Sequence, residues 1–382
     1  MPHAFIVFQF SNGIGHFTRC SALASALADD FDVTLFSGGR ELAGHPPPEG
    51  VRFVQLPPTR WDRVPGARPV PVHPERDGPD VDRARGEILV DAFLRLRPEV
   101  VVLEYYPFAP RRFGATLDAL LDEIERAPRP ALLVCSIRAY PRLTFLDSDT
   151  DPAWVNAQLR RRFACVLHHA DPDVIPVGSL GTYLEAALRD VPVVQTGFVR
   201  RARRPDAAAH PPFGLLLTVG GGSAQGARML LRWIEAARRG PPELRPLHVV
   251  CGPGMQAADR LAVTQASGPD VTVHASVPDL DPLIGASRGV VCMGGYNTAI
   301  EAVSLGKPAL AFPNGSESDQ QFQVDALASR GLLLRGDSRE GVTLEEIGAQ
   351  MRRLLEFRPA RAIDCDGARR SARIVRDLLA SR

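Results

Sequence analysis

The sequence contains no long apolar run, and its opposite charges nearly cancel. Its 45 basic and 44 acidic side chains leave a formal net charge of +1 at pH 7, which provides no long-range field for nucleic acid. No stretch approaches the roughly 18 apolar residues of a membrane span. The N-terminus "MPHAFIVFQFSNG" also lacks the basic start and apolar core of a signal peptide. We therefore expect a cytoplasmic protein without a nucleic-acid partner.

Cysteine is scarce as well, and its spacing excludes two kinds of site. The six cysteines lie far apart, with no CxxC pair and no pair of histidines at zinc-ligand spacing, so neither a zinc site nor a disulfide framework is predicted. The stretch "LHHADPD", with His168, His169, Asp171 and Asp173, looks like a metal cluster. Adjacent histidines on a strand point to opposite faces, however, which argues against it. We expect free thiols in the core and no bound metal.

The sequence does contain a repeated pattern of apolar strand, glycine turn and helix. The first unit is "HAFIVFQ", then "SNGIGH", then a stretch in which Phe17, Cys20, Leu23 and Leu27 recur at helical spacing. Further strands follow, separated by helices and by an irregular Pro/Arg/Asp-rich stretch at 57–85. They are "FDVTLFSGG", "VRFVQLP", "VVVLEYYP", "ALLVCS", "FACVLHH" and "VPVVQTG". Such alternation predicts a parallel sheet covered by helices.

The pattern restarts after a basic, proline-bearing segment at 199–212, which is typical of a linker. The strands of this second half are "FGLLLT", "LHVVCGPG", "VTVHAS", "GVVCMGG" and "PALAFP". A chain of 382 residues is also longer than one hydrophobic core usually serves. We predict an N-terminal domain at 1–198, a C-terminal domain at 213–365 and a terminal helix at 366–382, with a cleft between two doubly wound halves.

The stretch "GVVCMGGYNTAIEAVSLGKPALAFP" contains a candidate phosphate site. Ligands of open parallel sheets bind beyond the carboxyl ends of strands, where helix N-termini point N–H groups outward. Gly294 and Gly295 would let a diphosphate approach the backbone, and Asn297 or Thr298 can cap the helix. Glu301 can accept hydrogen bonds from both hydroxyls of a ribose. An ordinary tight turn followed by a solvated glutamate is the alternative interpretation.

Two further polar turns lie in the same half. "TVGGGSAQG" puts Gly220, Gly221 and Gly222 where they can face the same diphosphate. It lacks the Lys-Ser/Thr of a P-loop and the glycine pattern of a dinucleotide fingerprint, which argues against ATP hydrolysis and NAD. "SDQQ" supplies Asp319 and Gln320, which suit sugar hydroxyls, although Ser318 and Asp319 can equally cap a helix.

The N-terminal half supplies candidate acid–base residues. "SNGIGHFTR" puts His16 at a strand-to-helix turn, where a histidine can take a proton from an attacking hydroxyl. Glu104 ends the strand "VVVLE" and so belongs to the same edge if the strands are parallel. It can orient His16, serve as a base itself, or only cap a helix that starts near Phe113. His16 can also be a capping or structural residue.

Taken together, "GIGHFTR", "MGGYNTAIEAVSLGKPALAFP" and "SDQQ…ALASRG" resemble the GT-B glycosyltransferases related to the lipid-linked muropeptide N-acetylglucosaminyltransferase. The resemblance covers nearly the whole chain, and "LEYYPFAPRRF" and "VLHHADPD" look more specifically like a bacterial group of predicted glycosyltransferases. It implies an α/β GT-B fold, with two doubly wound Rossmann-like domains facing across a cleft. It also implies a nucleotide-diphosphate sugar, usually UDP-linked, as donor, and no metal cofactor, because helix dipoles and backbone N–H groups take the diphosphate charge.

The resemblance also implies roles for individual residues. It assigns His16 and Glu104 to catalysis, and Asn12, Gly13, Gly15 and Arg19 to an acceptor-side loop. The residues that it assigns to donor binding are Gly220, Gly221, Gly222, Ser223, Val277, Gly294, Gly295, Tyr296, Asn297, Thr298, Glu301, Asp319 and Gln320.

The expected reaction is transfer of the sugar to an unidentified acceptor hydroxyl or amine, with inversion. A nucleotide-sugar hydrolase of the pseudaminic acid synthesis type shares the fold and a turn like "GIGHFTRC" and stays open. A nucleotide-sugar 2-epimerase and a non-catalytic nucleotide-sugar binding protein are weaker alternatives. Residues 57–95 are additional in comparison with these hydrolases, which are typically shorter, and this favours a segment that binds an acceptor. The loop "SNGIGH" has fewer glycines than in lipid-binding relatives, so a lipid acceptor and peripheral membrane contact stay open.

Overall fold

The chain folds into two α/β halves, each built on its own parallel sheet. The computed structural model describes residues 1–9, 14–42, 45–60, 70–73, 77–108, 115–140, 151–201, 210–314 and 318–382. The first sheet uses strands from residues 3–195, and the second uses strands from residues 213–335. The predicted pair of doubly wound halves is therefore present.

The first half contains one large sheet and a short hairpin. Its strands are β1 (His3–Phe8), β2 (Asp32–Ser37), β3 (Arg52–Gln55), β4 (Thr59–Arg60), β5 (Val70–Pro71), β6 (Val100–Glu104), β7 (Leu132–Arg138), β8 (Cys165–His169) and β9 (Val193–Gln195). Seven of them pair in parallel in the order β3-β2-β1-β6-β7-β8-β9, while β4 and β5 pair antiparallel. β1 thus has β2 on one side and β6 on the other, so the winding direction reverses between β1 and β6.

Helices cover both faces of this sheet. They are α1 (Gly15–Leu27), α2 (Gly78–Leu96), α3 (Ala115–Arg126), α4 (Pro152–Arg162) and α5 (Thr182–Ala187). The prediction that 57–85 is irregular is wrong at the two short strands β4 and β5 and again from residue 78 onward. Asp77 caps α2 by accepting a hydrogen bond from the Asp80 amide at 2.8 Å, and Leu89 and Phe93 bury the apolar side of the helix.

The second half repeats the arrangement. Its strands are β10 (Phe213–Thr218), β11 (Leu247–Val250), β12 (Val271–His274), β13 (Ser287–Cys292), β14 (Ala309–Ala311) and β15 (Leu334–Arg335). All pair in parallel in the order β12-β11-β10-β13-β14-β15, and the winding reverses between β10 and β13. In such sheets the ligand crevice opens where the winding reverses, beyond the carboxyl ends of the two strands.

The last helix returns to the first half. The helices after β10 are α6 (Ala224–Arg239), α7 (Ala257–Ala266), α8 (Asp281–Ala286), α9 (Tyr296–Ser304), α10 (Ser318–Ala328), α11 (Leu344–Glu356) and α12 (Gly367–Ala380). Ala372 and Val375 of α12 lie in the same buried cluster as Leu23 and Leu27 of α1. The terminal segment thus completes the core of the N-terminal half. All six cysteines are free, as predicted, and five are buried, while Cys365 is half-buried.

Candidate functional site

A cavity of about 740 Å³ lies between the two halves. Its N-terminal wall comes from the ends of β1, β2, β6 and β7, and its C-terminal wall from the ends of β10, β11 and β13. Both places where the winding reverses therefore open into the same cavity. This is the geometry expected of a ligand site that is shared by two doubly wound sheets.

His16 and Glu104 meet at the N-terminal wall. The Nδ1 atom of His16 lies 2.8 Å from Oε1 and 2.9 Å from Oε2 of Glu104, and Arg19 donates a hydrogen bond to the same carboxylate. The Glu104 side chain is 0% exposed, whereas that of His16 is 25% exposed and lines the cavity. The carboxylate thus orients the imidazole, and its own side chain is closed to solvent. Of the roles that the sequence left open for Glu104, this contact favours the orientation of His16.

The surroundings of His16 favour its neutral form. Burial, together with the positive charges of Arg19 and Arg138, lowers the pKa of His16 well below its usual 6.5, and Asp319 opposes the shift. With a proton on Nδ1 donated to Glu104, the neutral ring keeps its lone pair on Nε2. Among the described residues, this second nitrogen has no hydrogen-bond partner and is available to a ligand in the cavity.

Two glycine loops interlock on the C-terminal wall. Gly220, Gly221 and Gly222 follow β10, and a second loop that includes Gly252 and Gly254 follows β11. The Gly254 amide donates to the Gly221 carbonyl at 2.7 Å. A Cβ on Gly252 would lie 2.1 Å from the Gly220 oxygen, so only glycine permits this approach. The loops present a smooth backbone surface that ends in α6, whose N-cap Ser223 accepts from the Gly226 amide at 3.0 Å.

The turn before α9 differs in two details from the prediction. Gly294 does not line the cavity; it has φ +73° and a Cβ there would lie 2.4 Å from Cγ2 of Val324, so its absent side chain serves packing against α10. Neither Asn297 nor Thr298 caps α9, because Gly295 is the N-cap residue and no side-chain cap is made. Asn297 and Thr298 lie in the first turn of α9 instead. There they line the cavity together with Gly295 and Tyr296.

Glu301 lies on α9 and also lines the cavity. Burial raises the pKa of Glu301 to about 7, with a smaller contribution from Asp281, while Arg201 and Arg200 oppose the shift. A half-buried carboxylate with a pKa near neutrality is poised to gain hydrogen bonds from a ligand, because such bonds would favour its charged form.

Asp319 connects the two halves, whereas Gln320 bonds within the C-terminal half. Asp319 Oδ2 lies 2.7 Å from Nη2 of Arg138 on β7, and Gln320 Oε1 accepts from the Asn314 amide at 3.3 Å. The rings of Tyr140 and Phe322 stack nearby with their centroids 4.2 Å apart. Asp319 thus forms an ion pair across the cleft, in preference to the helix cap that the sequence left open.

Tyr296 forms a further link between the halves. Its hydroxyl donates to the His169 carbonyl at 3.2 Å and accepts from the Val199 amide at 3.0 Å. Its ring lies 6.0 Å from the guanidinium carbon of Arg19. Burial raises the pKa of Tyr296, so the hydroxyl stays protonated and keeps this donor role.

The remaining predicted residues fall into three groups. Gly15, Arg19, Ser223 and Val277 line the cavity. Asn12 and Gly13 lie outside the described residues.

The third group is the stretch "LHHADPD", in which His168, His169 and Asp171 are buried, whereas the Asp173 side chain is 81% exposed. His168 bonds the Ala139 carbonyl at 2.9 Å, and His169 bonds the Ser136 and Thr196 hydroxyls at 2.8 Å each. Within the parts of the chain that are described, no group of three His, Cys, Asp or Glu side chains is arranged to hold a metal ion.

Sequence reasoning missed two arginines of the N-terminal wall. Arg40 follows β2 and Arg138 ends β7, and both line the cavity. The signal was available, because both residues follow the apolar strands that were recognised, and parallel strands bring their carboxyl ends to one edge. Arg201, within the segment interpreted as a linker, lines the cavity as well.

Comparison with known proteins agrees with this geometry. Residues 216–355 match the glycosyltransferase family 28 C-terminal domain. Two relatives carry the name UDP-N-acetylglucosamine–N-acetylmuramyl-(pentapeptide) pyrophosphoryl-undecaprenol N-acetylglucosamine transferase. The protein from Acidiphilium cryptum is 28% identical over 58% of this chain and 65% of its own length. The protein from Nocardioides sp. is 29% identical over 84% of this chain and 82% of its own length.

Solved structures give the fold. The calicheamicin glycosyltransferase CalG4 aligns over 100% of this chain and 95% of its own, with a TM-score of 0.56 at 15% identity. MurG of Acinetobacter baumannii aligns over 100% of both chains, with a TM-score of 0.54 at 15% identity. The chain is therefore a glycosyltransferase of the GT-B fold. Residues 216–355 carry the match to the family 28 domain, and the GT-B fold and the resemblance that the sequence predicted are confirmed.

A membrane-spanning helix is not found in the part of the chain that the structure describes, since none of its helices is both long enough and apolar enough.

Proposed function

We propose that the protein transfers a sugar from a nucleotide-diphosphate sugar to an acceptor hydroxyl or amine. One observation carries the proposal. The oriented pair His16–Glu104 and the donor-type wall of glycine loops and Glu301 face each other across a single cavity. A binding protein has no need of an oriented imidazole opposite a phosphate-binding turn, and the pair therefore favours an enzyme.

The donor occupies the C-terminal wall in this proposal. The diphosphate meets the backbone of Gly220–Gly222 and the N-terminus of α9, where N–H groups and the helix dipole favour negative charge. The ribose hydroxyls donate to Glu301, and the sugar reaches Asp319 and Gln320. The two named relatives use a UDP-linked sugar according to their names, which supports UDP as the nucleotide. The proposal requires no metal cofactor, because the protein's own N–H groups can take the diphosphate charge.

The acceptor is activated at the N-terminal wall. Neutral His16 takes the acceptor proton on Nε2 while the acceptor oxygen or nitrogen attacks the anomeric carbon, and the nucleotide diphosphate leaves with the bonding electrons. Glu104 then stabilises the imidazolium through the 2.8 Å contact at Nδ1. Attack from the side opposite the leaving group gives inversion.

The lining of the cavity favours an organic acceptor over water. The Tyr105 ring lies beside His16, with the centroids 6.1 Å apart, and the lining also includes Tyr106, Phe108 and Leu117. A hydrolase would not need this apolar lining for a water nucleophile. A lipid-linked acceptor, as named for the two relatives, would have to be presented from a membrane surface to a cytoplasmic enzyme. The organic acceptor and its presentation from a membrane are both part of the proposal. A product assay separates transfer from hydrolysis.

The experiment is thermal stabilisation of the purified protein by UDP, GDP, TDP and their sugars. A ligand at 100 times its Kd that binds only the native state stabilises it by about 2.7 kcal/mol. We expect one nucleotide to raise the melting temperature, and Glu301→Ala to remove that rise. If none of the nucleotides stabilises the native protein, the cavity is not a donor site and the proposal fails.

A further inference from the structure

Arg40 stands at the edge of the sheet where the donor and acceptor walls meet. It follows β2, the neighbour of β1, and its exposed side chain lines the shared cavity.

The backbone that carries Arg40 is held firmly. Arg85 of α2 is 1% exposed and donates to the carbonyls of Gly38 and Pro57, the latter at 2.7 Å. Gln55 donates to the Ser37 carbonyl at 3.0 Å. Burial lowers the pKa of Arg85 to about 10, so it remains charged at neutral pH. A buried guanidinium used for main-chain carbonyls is costly, and here it fixes the turn from which Arg40 projects.

Arg40 reaches across the cleft to the glycine loops. A Cβ placed on Gly254 would lie 3.4 Å from Nη2 of Arg40. Gly254 is in turn bonded to Gly221 through the 2.7 Å backbone hydrogen bond. The guanidinium therefore lies beside the two interlocked loops, close to the backbone surface at the N-terminus of α6.

The other cavity arginines are already engaged. Arg19 is paired with Glu104, Arg138 is paired with Asp319, and Arg201 donates to the Pro278 carbonyl. Within the described ranges, Arg40 has neither an ion pair nor a hydrogen bond. An uncompensated cation over a phosphate-type backbone surface is suited to an anionic ligand.

We propose that Arg40 binds the β-phosphate of the donor and stabilises the leaving nucleotide diphosphate; this rests on the proposed function. As the anomeric C–O bond breaks, its electron pair moves to the β-phosphate oxygen, and the guanidinium hydrogen-bonds the charge that develops there. The acceptor proton goes to His16, so Arg40 transfers no proton. Catalysis then depends on both halves, because the N-terminal half supplies a cation to a leaving group that the C-terminal half holds.

The test compares diphosphate with monophosphate binding. Kd values for UDP and UMP are measured with the native protein, Arg40→Gln, Arg40→Lys and the control Arg83→Gln, whose side chain is 67% exposed on α2. GDP with GMP, or TDP with TMP, replaces the pair if the panel selects another base. We expect Arg40→Gln to weaken UDP binding about 10- to 100-fold and UMP binding less than about threefold. Arg40→Lys should keep part of the native preference for UDP over UMP, and Arg83→Gln should keep all of it.

Turnover gives the second readout. Hydrolysis of saturating UDP-glucose or UDP-N-acetylglucosamine by water should slow about 10- to 100-fold in Arg40→Gln, because the leaving group loses its cation. Native UDP affinity in Arg40→Gln, an equal loss for UDP and UMP, or an unchanged hydrolysis rate would overturn the assignment of Arg40 while leaving the donor site intact. Failure of the native protein to bind any of the three diphosphates would overturn the donor site and the inference together.

Discussion

The Nδ1 atom of His16 lies 2.8 Å from Oε1 of Glu104, although the two residues are 88 positions apart in the sequence. They meet because His16 follows β1 and Glu104 ends β6, and these strands are neighbours in the sheet. Arg19, one turn further along α1, neutralises the carboxylate and keeps it buried. The dyad is therefore assembled by the fold and held by the ion pair behind it.

His16→Gln should keep nucleotide binding and lose transfer. The substitution removes the proton acceptor but leaves the donor wall untouched, and general bases of this kind contribute about 10²- to 10⁴-fold in rate. Nucleotide affinity by calorimetry and single-turnover kinetics measure the two properties separately. Loss of binding in the variant would show that His16 belongs to the donor site instead.

The pH dependence of the native enzyme follows from the same environment. Because burial and the charges of Arg19 and Arg138 lower the pKa of His16 below 6.5, the base form persists in mild acid. The transfer rate should thus stay level from pH 8 to about 6. A base with pKa 6.5 would lose roughly three quarters of its active form at pH 6. A rate that falls in this way, at saturating donor, would contradict the environment described for His16.

The pKa of Glu301 leads to a second pH effect, which is measured in nucleotide affinity and not in the transfer rate. Its pKa of about 7 means that the free carboxyl is largely protonated at pH 6 and largely ionised at pH 8. Only the carboxylate accepts hydrogen bonds from both ribose hydroxyls, so nucleotide affinity should rise by up to about tenfold over this interval. Glu301→Gln should flatten the profile, and any slope that remains reports ionisation of the phosphate. Parallel slopes in both proteins would exclude Glu301 as the titrating group.

The same shift has a consequence for stability without ligand. The folded-state pKa of Glu301 is raised above the usual 4.5, so its protonated form contributes stability that is complete below 4.5 and lost as the pH rises through about 7. The free energy of unfolding of the native protein should therefore fall relative to Glu301→Gln between these two values. Denaturant titrations of both proteins at pH 5 and pH 8 measure the difference.

Asp319→Asn should reduce discrimination between a nucleotide sugar and its nucleotide. The substitution removes a carboxylate that is 12% exposed, at the position proposed for the sugar, and leaves the Arg138 guanidinium without its 2.7 Å ionic partner. We expect a loss of about 1–3 kcal/mol in unfolding free energy and a larger loss of affinity for the sugar than for the diphosphate.

A matched control lies on the same helix. Asp325 pairs with Arg335, but both side chains are well exposed, at 55% and 42%. Asp325→Asn should change stability by less than about 0.5 kcal/mol and leave both affinities as they were. Equal effects of the two substitutions would show that Asp319 matters for α10 as a whole and has no specific role at the sugar.

Twelve of the strands could be predicted because a buried parallel strand is an almost continuous apolar run, as in "VVVLE" and "GLLLT". β15 escaped prediction because it has two residues, and α2 because Pro79 and the charged residues of its first turns hid a helix that Asp77 caps. In both cases tertiary contacts supply what the local pattern lacks.

Residues of the site were predictable where a motif places them beside a glycine turn, as for His16 and Glu301. Arg138 and Arg40 were not found, although both lie at the ends of recognised strands, because an arginine there has no distinctive pattern of its own. Gly294 was assigned to the ligand from the motif, yet the contact that explains it is with Val324, which only the packing of α10 on the turn reveals.

The interlocked glycine loops supply a final prediction. Gly252 has φ +89° and its Cβ would lie 2.1 Å from the Gly220 oxygen, so Gly252→Ala must push the loops apart. We expect a loss of at least about 3 kcal/mol in unfolding free energy and loss of nucleotide binding.

Two other glycines separate backbone strain from the clash between the loops. Gly220 has φ +66° but open space around its Cβ, so Gly220→Ala should fold with a loss of only about 1–2 kcal/mol. Gly285 of α8 has open space and no positive φ, and Gly285→Ala should be neutral or stabilise by up to about 1 kcal/mol. Denaturation curves rank the three variants. If Gly252→Ala is no less stable than Gly220→Ala, backbone strain alone accounts for both, and the loops do not depend on contact with each other to form the phosphate surface.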